Sequence, residues 1–196
     1  MNEEILTSKD GYIIRLAKKE DFTNYYRENF CPLDKNIVRL TGGKEEFSEE
    51  EIKNFFINSI EDKNRYFFLI IDPNKNIIGE SIINDIDWNL KSGNFRICIF
   101  KKENHLKGLG SWATIFTRDF AFNKLNLHRL DLSVFSFNKV AQKVYMKAGF
   151  KKEGILKDSI KDGDKYGDEI IMAILENEWE DIKKKEKSLL WIYLHI

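Results

Sequence analysis

Two stretches of this 196-residue chain combine residue types that bind an anion and move a proton. The first, Asn104-His105-Leu106-Lys107-Gly108-Leu109-Gly110-Ser111, stands between an apolar run and the start of a helical pattern. Gly108 and Gly110 admit a ligand close to the backbone and tolerate positive φ. A helix opening there presents unpaired N–H groups and the positive end of its dipole, which suits a phosphate or pyrophosphate, and Lys107 adds charge. On its own, a GxG before a helix is more often a tight turn. The GK[ST] ending of a Walker loop is missing, and so is the third glycine of the dinucleotide fingerprint.

The second stretch runs from Leu132 to Phe150. Asn138 and Tyr145 are seven residues apart, two helical turns along one face, with the small Ala141 between them. That spacing leaves room for a ligand between an amide and a phenol. Taken singly, Asn138 is an N-cap and Tyr145 a core aromatic with a polar tip. The glycine loop upstream makes a shared binding face the better account of both.

Alternating strands and helices must position these groups. Residues 12–16 are β-rich and residues 18–30 helical, with breaks at Pro32 and at Thr41-Gly42-Gly43. Ser48 and Glu51 form a capping-box signal ahead of a helix with Ile52, Phe55, Phe56 and Ile60 on one face. Strands are expected over 66–72, 77–85, 95–100 and 129–135, separated by turns at 73–76 and 89–94 and by a helix over 111–125. A helix capped by Asn138 ends near Ala148 with Gly149 beyond it, and a last hairpin turns at Asp162-Gly163-Asp164. No linker or repeat interrupts the series, so one mixed α/β domain over residues 1–180 is expected, followed by an extension over 181–196.

Composition narrows the function classes. Lys plus Arg equals Asp plus Glu, 32 each, so no overall field draws the chain to nucleic acid or an anionic membrane. The two cysteines, Cys31 and Cys98, are in no metal-binding or disulfide pattern, and no apolar run nears the ~20 residues that span a bilayer. A reduced cytoplasmic protein is expected, without metal, nucleic-acid or membrane partners.

Asn138, Ala141, Tyr145, Gly149 and Phe150 complete the pattern N-x-x-A-x-x-x-Y-x-x-x-G-F, and Gly108-x-Gly110 matches the end of Q/R-x-x-G-x-G/A. These are motifs B and A of the GNAT superfamily of acetyltransferases, which the chain resembles from about residue 12 to residue 179. Leu127-His128-Arg129-Leu130, Glu153-Gly154 and the closing Asp168, Glu178 and Trp179 resemble the branch containing ribosomal-protein N-terminal and polyamine acetyltransferases. The resemblance implies a mostly antiparallel sheet splayed near residues 95–100, with helices on both faces. It implies direct transfer of acetyl from acetyl-CoA to a primary amine, whether a protein N-terminus or a small amine such as a polyamine or aminoglycoside. Ile97, Cys98 and Ile99 would pair with the pantetheine arm like an added strand, and one N–H there would polarise the thioester carbonyl. His105, Leu106, Lys107, Gly108, Leu109, Gly110 and Ser111 would cradle the pyrophosphate, Asn138 and Ala141 would flank the coenzyme, and Tyr145 would protonate the leaving thiolate.

Two departures stand out. His105 replaces the usual Gln or Arg and Leu106 a common Gly, although backbone donors survive both changes. Asn94 stands where the superfamily often has a glutamate base, leaving Glu80, Asp85 and Asp87 to deprotonate the amine. On one strand Glu80 and Asp85 have opposite parity, so both face the site only across a bulge; Glu80 is favoured. A non-catalytic coenzyme A-binding sensor is the rival from another class, and a generic nucleotide-binding module leaves residues 138–150 unexplained. The apolar end of the 181–196 extension calls for burial, as an added strand or as a contact in a homo-oligomer.

Overall fold

The structure, a computed structural model, describes residues 5–8, 10–44, 46–105 and 108–194. Eight strands form one sheet in the order β1-β2-β3-β4-β5-β6-β8-β7. They are β1 (Ile5–Thr7), β2 (Ile13–Leu16), β3 (Tyr66–Ile71), β4 (Ile77–Asp87), β5 (Ser92–Ile99), β6 (Arg129–Phe135), β7 (Lys151–Asp162) and β8 (Lys165–Leu175). Every pairing is antiparallel except that of β5 with β6. The helices are α1 (Phe22–Phe30), α2 (Lys35–Thr41), α3 (Glu49–Glu61), α4 (Leu109–Asn123), α5 (Lys139–Lys147) and α6 (Glu176–Leu194). Among the described residues no helix is long and apolar enough to cross a membrane.

Burial on both faces explains the run Tyr66-Phe67-Phe68-Leu69-Ile70-Ile71, which reads as continuously apolar rather than alternating. Phe68 and Ile70 join the core with Ala113, Phe120 and Ala121 of α4, while Phe67, Leu69 and Ile71 join the core with Tyr25 of α1 and Ile52 and Phe56 of α3. The capping box is formed as its spacing predicts: the Glu51 N–H donates to Ser48 Oγ at 3.2 Å, and Ser48 N–H to Glu51 Oε2 at 2.9 Å.

Several boundaries differ from the sequence expectation. The helix expected over 18–30 opens as a single 3-10 turn before α1, where Asp21 accepts both Lys18 N–H, at 2.8 Å, and the Arg15 guanidinium, at 2.7 and 2.8 Å. Strand β5 begins at Ser92, inside the expected turn. Helix α2 fills the interval between Pro32 and Gly42, and strand β1 precedes the first expected strand. Residues through Leu194 continue α6, so the extension is helical and adds no strand. Its first turns dock by Trp179, which stacks on Phe122 at 5.3 Å and donates Nε1–H to Asp119 at 2.8 Å. Lys183 reaches the same carboxylate at 3.0 Å.

Gly149 ends α5 with φ +98°, and a Cβ there would stand 2.4 Å from Ile182 Cδ1 and 3.0 Å from Ile174 Cδ1. Gly149→Ala combines the left-handed strain with overpacking, and is expected to destabilise the protein by about 2–4 kcal/mol in urea or guanidinium unfolding.

Candidate active site

The one parallel pair in the sheet is short. β5 meets β6 only at Ser92↔Arg129, Gly93↔Leu130 and Asn94↔Asp131, and beyond this each strand keeps only its outer neighbour, β4 or β8. Asn94 Nδ2 donates to Asp131 Oδ1 at 3.0 Å, closing the base of the fork. The Phe100 N–H donates to the Ile78 carbonyl at 3.0 Å, so in the alternating ladder Cys98 also turns its backbone groups to β4. Ile97 and Ile99 turn theirs into the opening. Of the three residues expected to pair with an added strand, two face it, and Cys98 offers its side chain instead.

A cavity of about 1110 Å³ occupies the fork. Along one rim Gly108, Leu109, Gly110 and Ser111 start α4, with Gly108 at φ +93°. The first helical bond there is from Trp112 N–H to the Gly108 carbonyl, at 2.9 Å, so the earlier N–H groups stand ahead of the ladder. A Cβ built on Gly108 or Gly110 meets no atom within 4 Å, so neither glycine is needed to relieve a clash inside the protein. That open space beside a helix N-terminus fits a pyrophosphate, and the β5 edge fits an extended amide chain. His105 Nε2 lies 3.0 Å from the Ile99 carbonyl. Leu106 and Lys107 fall outside the described residues.

Tyr145 and Glu80 both line this cavity. Tyr145 is buried, its ring edge-on to Phe95 at 6.0 Å and near Phe150 at 6.1 Å, and its hydroxyl makes no hydrogen bond to a described residue. Burial first, then the neighbouring Cys98, pushes its pKa well above the ordinary phenol, so it holds its proton at any working pH. Glu80 lies on β4 opposite Cys98, and Tyr25 Oη–H donates to its Oε2 at 2.6 Å. Burial raises the Glu80 pKa, against the lowering effects of the Tyr25 hydrogen bond, Arg96 and Arg65. Burial also holds the Cys98 thiol far above its usual value, with Glu80 adding to the effect, so no thiolate is available to attack an acyl group.

Thus Ile97, Cys98, Ile99, His105, Gly108, Leu109, Gly110, Ser111, Asn138, Ala141, Tyr145 and Glu80 share one cavity lining. Asn138 also caps α5, its Oδ1 accepting Ala141 N–H at 3.1 Å, so the bland role and the lining position coexist. Asp85 and Asp87 do not reach the cavity. The β4–β5 register shifts between Asn84 and Asp87, Asp85 is exposed at φ +52°, and Asp87 caps the next turn through Asn89 and Leu90 N–H at 2.8 and 2.9 Å. Tyr25, Glu169 and the α2 residues Ile37 and Leu40 also line the cavity without having been singled out in the sequence. Strand parity puts Glu169 on the face opposite Ile170, Met172 and Ile174, which point into the core.

A buried carboxyl with a raised pKa binds its proton more tightly in the folded state, so its stabilising contribution is complete at low pH and lost as pH rises through the folded value. Glu80→Gln removes that loss. Its melting temperature is expected to match wild type near pH 4 and to exceed it by a few degrees near pH 8, as followed by thermal melts across the range.

Residues 14–171 match the Acetyltransferase (GNAT) domain family. The spermidine N(1)-acetyltransferase of Vibrio cholerae is 30% identical over 134 residues, which are 67% of this chain and 76% of that relative. The crystal structure of a V. cholerae spermidine N-acetyltransferase in complex with CoA and spermine superposes with a TM-score of 0.76 at 26% identity, covering 86% of this chain and 97% of the other. The ribosomal-protein-S5-alanine acetyltransferase of Vibrio fischeri shares the fold, with a TM-score of 0.76 at 22% identity over 90% of this chain and 98% of the other. With the forked sheet, the glycine-opened helix and Tyr145 in place, the chain belongs to the GNAT acetyltransferase family and is an acetyl-CoA-dependent N-acetyltransferase.

Proposed function

We propose that the protein transfers acetyl from acetyl-CoA directly to the primary amine of a small aliphatic acceptor, within a ternary complex. The observation that carries this reading is the placement of Tyr145 and Glu80 around one fork, with a thiol between them that burial keeps protonated. The curated relative named for spermidine, and the related structure holding CoA and spermine, support a small amine over a protein N-terminus as acceptor.

The chemistry divides between the walls. An alkylammonium has a pKa near ~10.4 and must lose a proton before it is nucleophilic. Glu80, oriented by Tyr25 through Oε2, has Oε1 free of hydrogen bonds to described residues and takes that proton directly or through a water. The amine lone pair attacks the thioester carbonyl carbon, whose oxygen gathers charge beside the β5 edge, where the Ile97 N–H is the donor in reach of the opening. The C–S bond breaks as the Tyr145 hydroxyl gives its proton to the departing sulfur, and the proton that the nitrogen sheds on becoming an amide returns through water to the Tyr145 phenolate. Burial keeps this phenol protonated when each cycle begins.

The backbone N–H groups at the start of α4 and the open edges of Ile97 and Ile99 hold the donor. Asn94, bonded to Asp131, is no base; it ties β5 to β6 where the fork begins.

Tyr145→Phe keeps the ring contacts with Phe95 and Phe150 and removes only the proton. Release of free coenzyme A from acetyl-CoA, followed across spermidine, spermine, aminoglycosides and peptides with free N-termini, is expected to show turnover with the small amines. The variant should lose about 100-fold in kcat with KM nearly unchanged. Full activity in the variant would remove Tyr145 from the mechanism, and turnover confined to the peptides would reverse the acceptor assignment.

A further inference from the structure

Glu80 is not the only carboxylate on this face of the fork. Asn94 and Asp131, joined side chain to side chain, mark the last rung of the parallel pair and project to one face. Four residues further along β5, on that same face, stands Cys98, whose register partner on β4 is Glu80. Four residues further along β6 stands Phe135, whose partner on β8 is Glu169. The two glutamates therefore sit at one height above the base of the fork, each one strand out from the opening and on opposite sides of it. Three strand spacings of ~4.8 Å separate their backbones by ~14 Å, and more where β5 and β6 diverge.

Glu169 is half-buried and lines the same cavity as Glu80. Ser133 Oγ–H donates to its Oε1 at 2.5 Å, which fixes the carboxylate, and no cation among the described residues pairs with it. Its neighbour Asp168 is occupied elsewhere. Asp168 Oδ1 accepts Asp158 N–H at 3.1 Å, and its main-chain carbonyl accepts Ser136 N–H at 2.8 Å, tying the hairpin to the end of β6. Arg96, the cation on this face of β5, lies two residues nearer the base than Cys98, on the Glu80 side of the opening. A fixed carboxylate with no counter-ion, facing a cleft whose far wall deprotonates an amine, is a receptor for positive charge.

We infer that Glu169, held by Ser133, is a specificity-determining residue that binds a second ammonium group of the acceptor while the first is presented to Glu80. This rests on the amine-acetyltransferase reading above and adds to it the acceptor's second charge. Acceptors with two ammonium groups joined by a flexible aliphatic chain are favoured over monoamines of equal length, and the gain lies in binding rather than in the chemical step.

The test compares hexylamine with hexamethylenediamine, and octylamine with octamethylenediamine, in wild type, Glu169→Gln and Glu169→Asp. Two readouts are taken: coenzyme A release, and calorimetric titration of each amine into protein saturated with coenzyme A. Wild type is expected to prefer the diamine of at least one pair. In Glu169→Gln the diamine-to-monoamine ratio of kcat/KM should fall about tenfold or more, through KM, with Glu169→Asp recovering part of it. A ratio unmoved by Glu169→Gln, or a wild type with no diamine preference, overturns the inference while leaving acetyl transfer standing. A wild type that binds diamines without releasing coenzyme A counts against the transfer reading instead, and the titration ratio still decides Glu169. Should Glu169→Gln fail to fold, Ser133→Ala, which frees the carboxylate from its anchor, is expected to lower the same ratio to a smaller degree.

Discussion

The constraint on which the rest of this structure depends is the abandonment of a strand pairing. β5 and β6 run together for three residues and then part, exposing backbone donors and acceptors inside the molecule. Unpaired backbone groups are costly when buried, so the fork persists only because each strand is held from its outer side. β6 is locked to β8 over its whole length, from Arg129↔Leu175 to Phe135↔Glu169, and β5 to β4 from Gly79↔Ile99 down to Asn84↔Asn94. Phe95, 2% exposed, stands just above the last rung with the Tyr145 and Phe150 rings around it. It packs against both, so the aromatic cluster at the base of the fork also sets the position of the Tyr145 ring. On the proposed reading, an extended amide chain entering the fork supplies the missing pairs.

Charge is handled just as locally. The chain is neutral overall, and the site draws nothing from a global field. Its titrating groups are set by burial: Tyr145 and Cys98 are kept protonated, while Glu80 is made more basic, against the lowering effects of Tyr25, Arg96 and Arg65. The substitution of Asn94 for an acid does not leave the fork without a carboxylate. Cys98 shares the face of Asn94 one repeat along β5, and Glu80 is its partner across the ladder, so the acid function stands one strand over and further up the cleft. Asn94 in turn gains a role that a carboxylate opposite Asp131 would lose to repulsion, because its amide can donate to that aspartate.

The parts legible in the sequence were those in which local chemistry and global placement coincide. The seven-residue spacing of Asn138 and Tyr145, the Ser48–Glu51 box and the turn at residues 162–164 each depend on neighbours in the chain, and each appears where spacing puts it. Helix α2 was not read: its seven residues lie between Pro32 and Gly42, where breakers read as a loop, although Asp34 caps it by accepting Asn36 N–H and Gly42 ends it in the left-handed region. Its Arg39 guanidinium bonds both oxygens of Asp162 at 2.7 Å and lies over the Phe137 ring at 4.5 Å. Asp85 and Glu80 were separable by parity, but the bulge that turns Asp85 outward was not. Glu169 was hidden beside Asp168, because only knowing which face of β8 borders the fork tells the two apart.

The same asymmetry explains why the donor is easier to name than the acceptor. On the reading proposed above, acetyl-CoA is held by a helix N-terminus, two glycines and a strand edge, backbone features that demand particular residues at fixed spacings and so leave a motif. The wall proposed to hold the acceptor is assembled from α2, the end of β6 and Glu169 of β8, and α2 is tied to the tip of the β7–β8 hairpin, more than a hundred residues away in the chain, by the contact between Arg39 and Asp162. Gly42, at φ +70°, brings the end of α2 so close to Phe135 that a Cβ would stand 2.9 Å from the ring. Side chains on such a wall answer to each other across the cleft rather than to a local spacing. A family can therefore keep its donor site intact while it exchanges one acceptor for another, and the acceptor has to be sought in the paired geometry of the two glutamates, not in a motif.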